Sequence, residues 1–124
     1  MITKLVFCVR KRADLSVEDF QSYWRDQHGP LVRSLWEAGA FPGMQKYVQS
    51  QTNYEADGGR VARGTTEPYD GITEVWMDSS VASTDDGARA TATAAGKRLL
   101  EDEATFIDFA ASCVFVTTEH VVFS

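Results

Sequence analysis

Ser16-Val17-Glu18-Asp19-Phe20-Gln21-Ser22-Tyr23-Trp24-Arg25-Asp26-Gln27-His28-Gly29-Pro30-Leu31-Val32-Arg33-Ser34-Leu35 is the stretch from which the rest of the chain can be read. At about 100° per residue, Phe20, Trp24, Leu31 and Leu35 share one apolar stripe, Gln27 lies inside it, and Tyr23 and His28 sit at its two borders. The spacing predicts a helix over residues 17–35. Ser16 marks its start, because its hydroxyl can accept from the backbone N–H of Asp19, Leu15 and Phe20 hold the hydrophobic-staple positions, and Glu18 and Asp19 complement the helix dipole. Pro30 lacks the N–H that would bond the Asp26 carbonyl, and its ring disfavours helical geometry at Gly29, so the helix is predicted to bend or restart beside His28. One of the chain's two histidines is thereby aimed at the edge of a core, next to a bend of the kind that lines pockets.

Outward from this helix, residues 4–10 (KLVFCVR) read as a strand with apolar residues on both faces. Residues 39–43 form a turn, and residues 44–50 alternate polar and apolar as a strand nearer an edge does. Residues 51–68, rich in Gly, Thr, Asn and charge, are the longest irregular connection and a candidate lid. Residues 69–78 supply a third strand, entered through Asp70-Gly71. Two helical pieces broken near Gly96 are predicted next, over residues 80–93 and 97–111, the second with Leu100, Ala104, Ile107 and Ala111 at helical spacing. Residues 113–118 form a fourth strand, apolar on both faces, and residues 119–124 a tail. The order β-α-β-β-α-β is that of an α+β, ferredoxin-like fold, an antiparallel sheet with helices on one face. The other face would be left bare and apolar, and a second copy of the sheet, in a homodimer, is its simplest cover.

Composition narrows the partners. A chain of 124 residues fits one domain with a modest core. Twelve basic against eighteen acidic residues give a net charge of −6, which opposes binding to nucleic acid or to anionic membranes. Cys8 and Cys113 have no metal-ligand spacing and read as small buried hydrophobes. No leader pattern or bilayer-spanning apolar run is present, so a cytoplasmic protein is expected. Two distant histidines provide no metal site, and no glycine-rich phosphate loop or flavin or nicotinamide motif appears, so no cofactor is expected.

His28 is the leading candidate for a general acid or base, since imidazole titrates near neutral pH and burial beside a partner tunes it; the alternative is a satisfied helix-edge histidine. Tyr23 and Tyr47 could donate to a developing oxyanion, or be core tyrosines. Glu74 is out of place in an apolar strand, on one face with Ile72 and Trp76; it is either a buried carboxyl with a raised pKa or the partner of an arginine. Phe20, Trp24, Leu31, Tyr47 and Trp76 are the candidate walls of a pocket for an aromatic or hydrophobic small molecule. Asp108 reads as a surface or capping residue and His120 as structural.

The segment Phe20-x-x-Tyr23-Trp24-x-x-x-His28-Gly29-Pro30-Leu31 resembles the signature of EthD-domain proteins, within the dimeric α+β-barrel superfamily. Tyr69-Asp70-Gly71-Ile72 with Glu74 and Trp76, then Asp102-Glu103-Ala104-x-Phe106-Ile107-Asp108, and finally Glu119-His120, resemble the family's later landmarks in order. Residues 51–68 match no family pattern, and residues 83–95 are more Ala- and Thr-rich than the helix usually found there. The resemblance implies a homodimer whose sheets face each other, with a small apolar cavity between sheet and helices. Three roles stand open, since fold membership does not choose among chemistries. One is a cofactor-independent enzyme moving a proton on an aromatic or polyketide-like substrate, in dehydration, cyclisation or isomerisation. Another is an oxidative role, as a cofactor-free monooxygenase or an accessory of an oxidative degradation system. The last is a non-catalytic binder of hydrophobic small molecules.

Overall fold

A computed structural model of the chain describes residues 1–81 and 85–124. Four strands, β1 (Ile2–Val9), β2 (Met44–Gln51), β3 (Gly71–Asp78) and β4 (Cys113–Thr117), form one antiparallel sheet in the order β2-β3-β1-β4. Each βαβ half places another strand between its own two, which is the interleaving of the ferredoxin-like α+β fold. The register sorts the side chains into two faces, because directly opposed residues of an antiparallel pair point the same way. Phe7 pairs with Thr73, and Val9 with Gly71, on the face covered by helices, where Val9 joins Phe20, Trp24, Phe106 and Ile107 in the core. Lys4, Val6 and Cys8 point to the other face with Trp76, Glu74 and Ile72.

That second face is less buried than the two-sided apolar pattern of β1 and β4 predicts. On the edge strand β4, Phe115, opposed to Val6 on that face, is 49% exposed, and Val114 and Val116, opposed to Phe7 and Leu5 on the helix side, are 57% and 59% exposed, because among the described residues no helix or strand covers that edge. Cys8 is half-buried and Cys113 exposed, which corrects their reading as buried hydrophobes; they are direct cross-strand partners at the open end of the β1–β4 ladder.

The helix predicted over residues 17–35 runs to Glu37 in three parts. An α-helix α1 (Val17–Tyr23) passes into a π-helical segment, Trp24–His28, and then into α2 (Gly29–Glu37). Ser16 caps it as read from the sequence, its hydroxyl accepting from Asp19 N–H at 3.0 Å. The bend foreseen at Pro30 is replaced by a widened turn, in which Gly29 N–H bonds the carbonyl of Trp24, five residues back, and Pro30 falls in the first turn of α2. A π turn carries about one extra residue, so the buried stripe advances by one position beyond Trp24. His28 is buried instead of lying at a border, Val32 is buried where Leu31 was expected, Leu31 and Leu35 are half-buried, and Gln27 is exposed.

The connection over residues 51–68 contains a short helix, α3 (Gly58–Arg63), and is tied down near both ends, where Tyr54 Oη donates to Asp70 Oδ1 and Arg10 Nη1 to the Pro68 carbonyl. Two further expectations are corrected beyond β3. The helix α4 (Asp86–Glu103) runs unbroken through Gly96, around which there is open space; the neighbouring alanines are strong helix formers and offset a glycine cost of about 1 kcal/mol. Part of the piece expected over residues 80–93 falls on residues 82–84, outside the described residues. Residues 104–111 do not continue the helix and Leu100 is exposed, because the chain pairs with the segment after β1: Lys11 bridges to Ile107, and Arg12 N–H bonds Phe106 carbonyl at 3.0 Å. Among the described residues no helix is long and apolar enough to cross a membrane.

Candidate functional site

The π turn rotates His28 toward the last turn of α4, where Asp102 and Glu103 stand side by side. His28 Nδ1 lies 2.8 Å from Asp102 Oδ2, and Tyr23 Oη donates to Asp102 Oδ1 at 2.5 Å. An ionised carboxylate only accepts, so Nδ1 carries the ring hydrogen and Nε2 keeps its lone pair. That second nitrogen faces Glu103 Oε2 at 3.7 Å. Phe106 packs on both rings, 5.1 Å from His28 and 5.2 Å from Tyr23 between centroids, and the imidazole is 3% exposed.

Burial dominates the electrostatics. It lowers the His28 pKa below the ordinary histidine value despite the neighbouring Asp102 carboxylate, so the ring is neutral at physiological pH. Burial alone would raise Asp102, but hydrogen bonds from Tyr23 and His28 outweigh it and hold this carboxyl below the usual range. The Tyr23 hydroxyl is raised by its bond to Asp102. Glu103 moves the other way: burial, reinforced by the Asp102 charge, pushes it up to about 7. The result is two adjacent carboxyls with separated pKa values on either side of one imidazole, an arrangement suited to holding and moving a proton. Among the described residues no group of three His, Cys, Asp or Glu side chains is placed to hold a metal ion.

The sequence profile of the EthD domain matches residues 12–110. This chain belongs to the EthD-domain family. An EthD family protein of Bacillus halodurans is 16% identical, with a TM-score of 0.60 over 97% of this chain and 100% of its own. A hypothetical Arabidopsis thaliana protein is 14% identical, with a TM-score of 0.54 over 98% of this chain and 91% of its own. At such identities the likeness to these structures is one of fold. No curated protein matches the sequence.

In this EthD domain the residues singled out from the sequence separate into several places. His28 and Tyr23 converge on Asp102. Phe20 and Trp24 are fully buried and packed against each other in the core, 5.5 Å between rings. Glu74 and Trp76 lie on the opposite face of the sheet from His28: Glu74 Oε2 accepts from Lys4 Nζ at 2.8 Å, and Trp76 Nε1 donates to Glu119 Oε1 at 2.7 Å. Glu74 is therefore the partner of a lysine, where an arginine was one of the two alternatives. Asp108 caps the short turn Phe109–Ala111, its carboxylate accepting from Ala111 N–H, and His120 is exposed.

Tyr47 opens on a cleft of about 380 Å³ between α2 and β2, walled by Val32, Trp36 and Met44 and floored by Tyr47 and Gln49. Trp36 is held in place by its indole N–H, which bonds the Met44 carbonyl at 2.9 Å. Gln49 Nε2 donates both to Tyr47 Oη, at 3.1 Å, and to the Trp24 carbonyl in the π segment, at 2.9 Å, joining the cleft floor to the turn that carries His28. Sequence reasoning missed Asp102 and Glu103 as site residues. The signal was present, since two carboxylates in the last turn of a helix oppose the helix dipole, but the spacing of Leu100, Ala104, Ile107 and Ala111 carries the expected helix on to residue 111 and puts both acids in its middle.

Proposed function

We propose that this EthD-family chain is a cofactor-independent enzyme that moves a proton on an aromatic or polyketide-like small molecule, in dehydration, cyclisation or isomerisation. His28 is its acid or base, Asp102 and Tyr23 orient the ring, and the α2–β2 cleft receives the substrate. The observation that carries this reading is the 2.8 Å contact from His28 Nδ1 to a buried carboxylate, which fixes one tautomer and leaves Nε2 to accept a proton. A homodimer is the working form in this proposal, supported by the exposed valines and Phe115 of β4 and by the sheet face that no helix covers.

A second reading has an observation in its favour. His28 is 3% exposed and does not line the cleft, as befits a non-catalytic binder of hydrophobic small molecules. The test begins with the small molecule that co-purifies with the protein, identified by mass spectrometry, and follows its conversion by wild type and His28→Ala. Turnover per folded molecule is expected to fall about 10²- to 10⁴-fold in the variant. Retention of the ligand unchanged by both proteins would leave the binder as the function.

A further inference from the structure

We propose that Glu103 is a second proton-carrying group of the site, a carboxyl that shares one mobile proton with the buried His28 imidazole. The inference rests on the proton-transfer reading above and adds a second carboxyl to its proton path. The imidazole is enclosed: its side chain is 4% exposed, Nδ1 is taken by Asp102, and Nε2 faces Glu103 Oε2 at 3.7 Å. Glu103 is the more accessible member of the pair, its side chain 19% exposed.

Its bonding is as unusual as its position. Most carboxylates in the ion pairs of this chain meet an arginine or lysine, as Asp14 meets Arg12 and Glu37 meets Arg33. The Glu103 carboxyl accepts no hydrogen bond from a described residue, and among those residues the one basic group in ion-pair range of it is His28. A half-buried carboxyl in that setting holds a proton more easily than its neighbours do. The groups around it agree. Asp102, beside it on α4, is the charge-holding carboxylate, satisfied by Tyr23 and His28 and with Arg98 Nη1 4.0 Å away. Tyr47 on β2 is a neutral phenol whose titration feels the Glu103 charge. The trio Asp102–His28–Glu103 thus carries one mobile proton. In one state it sits on Glu103 Oε2 and Nε2 keeps its lone pair. In the other, Nε2 carries it and the imidazolium lies between two carboxylates.

An uncharged carbodiimide serves as the probe, because it reacts by taking the proton of a carboxylic acid onto nitrogen while the carboxylate oxygen bonds to its carbon. The protein is treated across pH 5–9, adducts are located by peptide mass spectrometry, and the Glu103 carboxyl carbon and His28 ring nitrogens are titrated by NMR. Glu103 is expected to be the main adduct at neutral pH, with a rate that falls as pH rises through about 7. The His28 signals should follow the same step, and that step should vanish in Glu103→Gln. Adducts spread over the exposed acids with Glu103 unmodified would overturn the proposal. So would a Glu103 carbon that titrates with the ordinary carboxylates, or a His28 titration unchanged in Glu103→Gln. None of these readouts needs turnover, so a failure of the enzymatic reading and a failure of the Glu103 assignment are seen separately.

Discussion

Replacing Asp102 tests the site most directly, because one carboxylate satisfies two buried donors, Tyr23 Oη at 2.5 Å and His28 Nδ1 at 2.8 Å. Asp102→Ala leaves both without an acceptor. Hydrogen bonds to a charged group are worth about 1.5–3 kcal/mol each, and breaking a buried pair from one side costs about 3–5 kcal/mol, so a loss of about 3–5 kcal/mol is expected. For a chain of this length that is a fall of roughly 10–20 °C in melting temperature. Asp102→Asn separates charge from shape. It keeps one acceptor but offers an NH₂ group to the other partner, turning charge-assisted bonds into neutral ones at a cost of about 2 kcal/mol. If that NH₂ faces His28, the ring must move its hydrogen from Nδ1 to Nε2. Urea unfolding gives the energies, and long-range ¹H–¹⁵N NMR of the imidazole reads the tautomer. A cost below about 1 kcal/mol for Asp102→Ala, or a His28 hydrogen found on Nε2 in the wild type, would refute the role of Asp102 as the shared acceptor.

The pH dependence of stability should carry the mark of Glu103. Its folded pKa is raised from 4.5 to about 7, so its contribution is fully present below the unfolded value and is lost as pH rises through about 7. Glu103→Gln is expected to remove that decline, giving a flatter stability profile between about pH 4.5 and 7 in denaturant titrations; an unchanged profile would mean the carboxyl is ionised throughout. Gly71→Ala is expected to destabilise the fold by about 1–3 kcal/mol or more, since a Cβ there would lie 2.5 Å from the Trp24 ring and 2.6 Å from the Ser50 carbonyl. A melting temperature equal to wild type would show that Trp24 can leave its seat on the sheet.

The fold was legible because its signals are local. Ser16, the staple residues and the apolar spacing placed the first helix, and the runs around Val6, Val75 and Phe115 placed three strands of the sheet. What escaped depends on contacts far apart in sequence. The orientation of His28 follows from a widened turn that periodicity at 3.6 residues cannot represent, and the end of α4 is set by pairing between residues 10–12 and 106–108. Asp102 and Glu103 were hidden for that second reason, since mid-helix carboxylates are ordinary and terminal ones are not. Glu74 and Trp76 stood out by composition, yet strand alternation sends them to the face away from His28, a relation that becomes visible only once the helices are assigned to a side.

The widened turn also changes what kind of genetic event can reach the site. Trp24 and its neighbours occupy one more residue than an α-helix of the same reach, and the surplus is anchored at the Trp24 carbonyl, which accepts from Gly29 within the helix and from Gln49 across on the sheet. Loss of a single codon among residues 25–27 would let the helix close into regular α hydrogen bonding. The side chains after it would keep their faces, because the residue removed is the surplus one; closing the turn with all its residues kept would instead rotate them by about 100°, His28 away from Asp102 and Val32 out of its seat. The encounter between the imidazole and its carboxylate is therefore written in the length of the helix as much as in its letters. Substitution leaves that length untouched, whereas one deletion removes the surplus residue that the widened turn exists to hold.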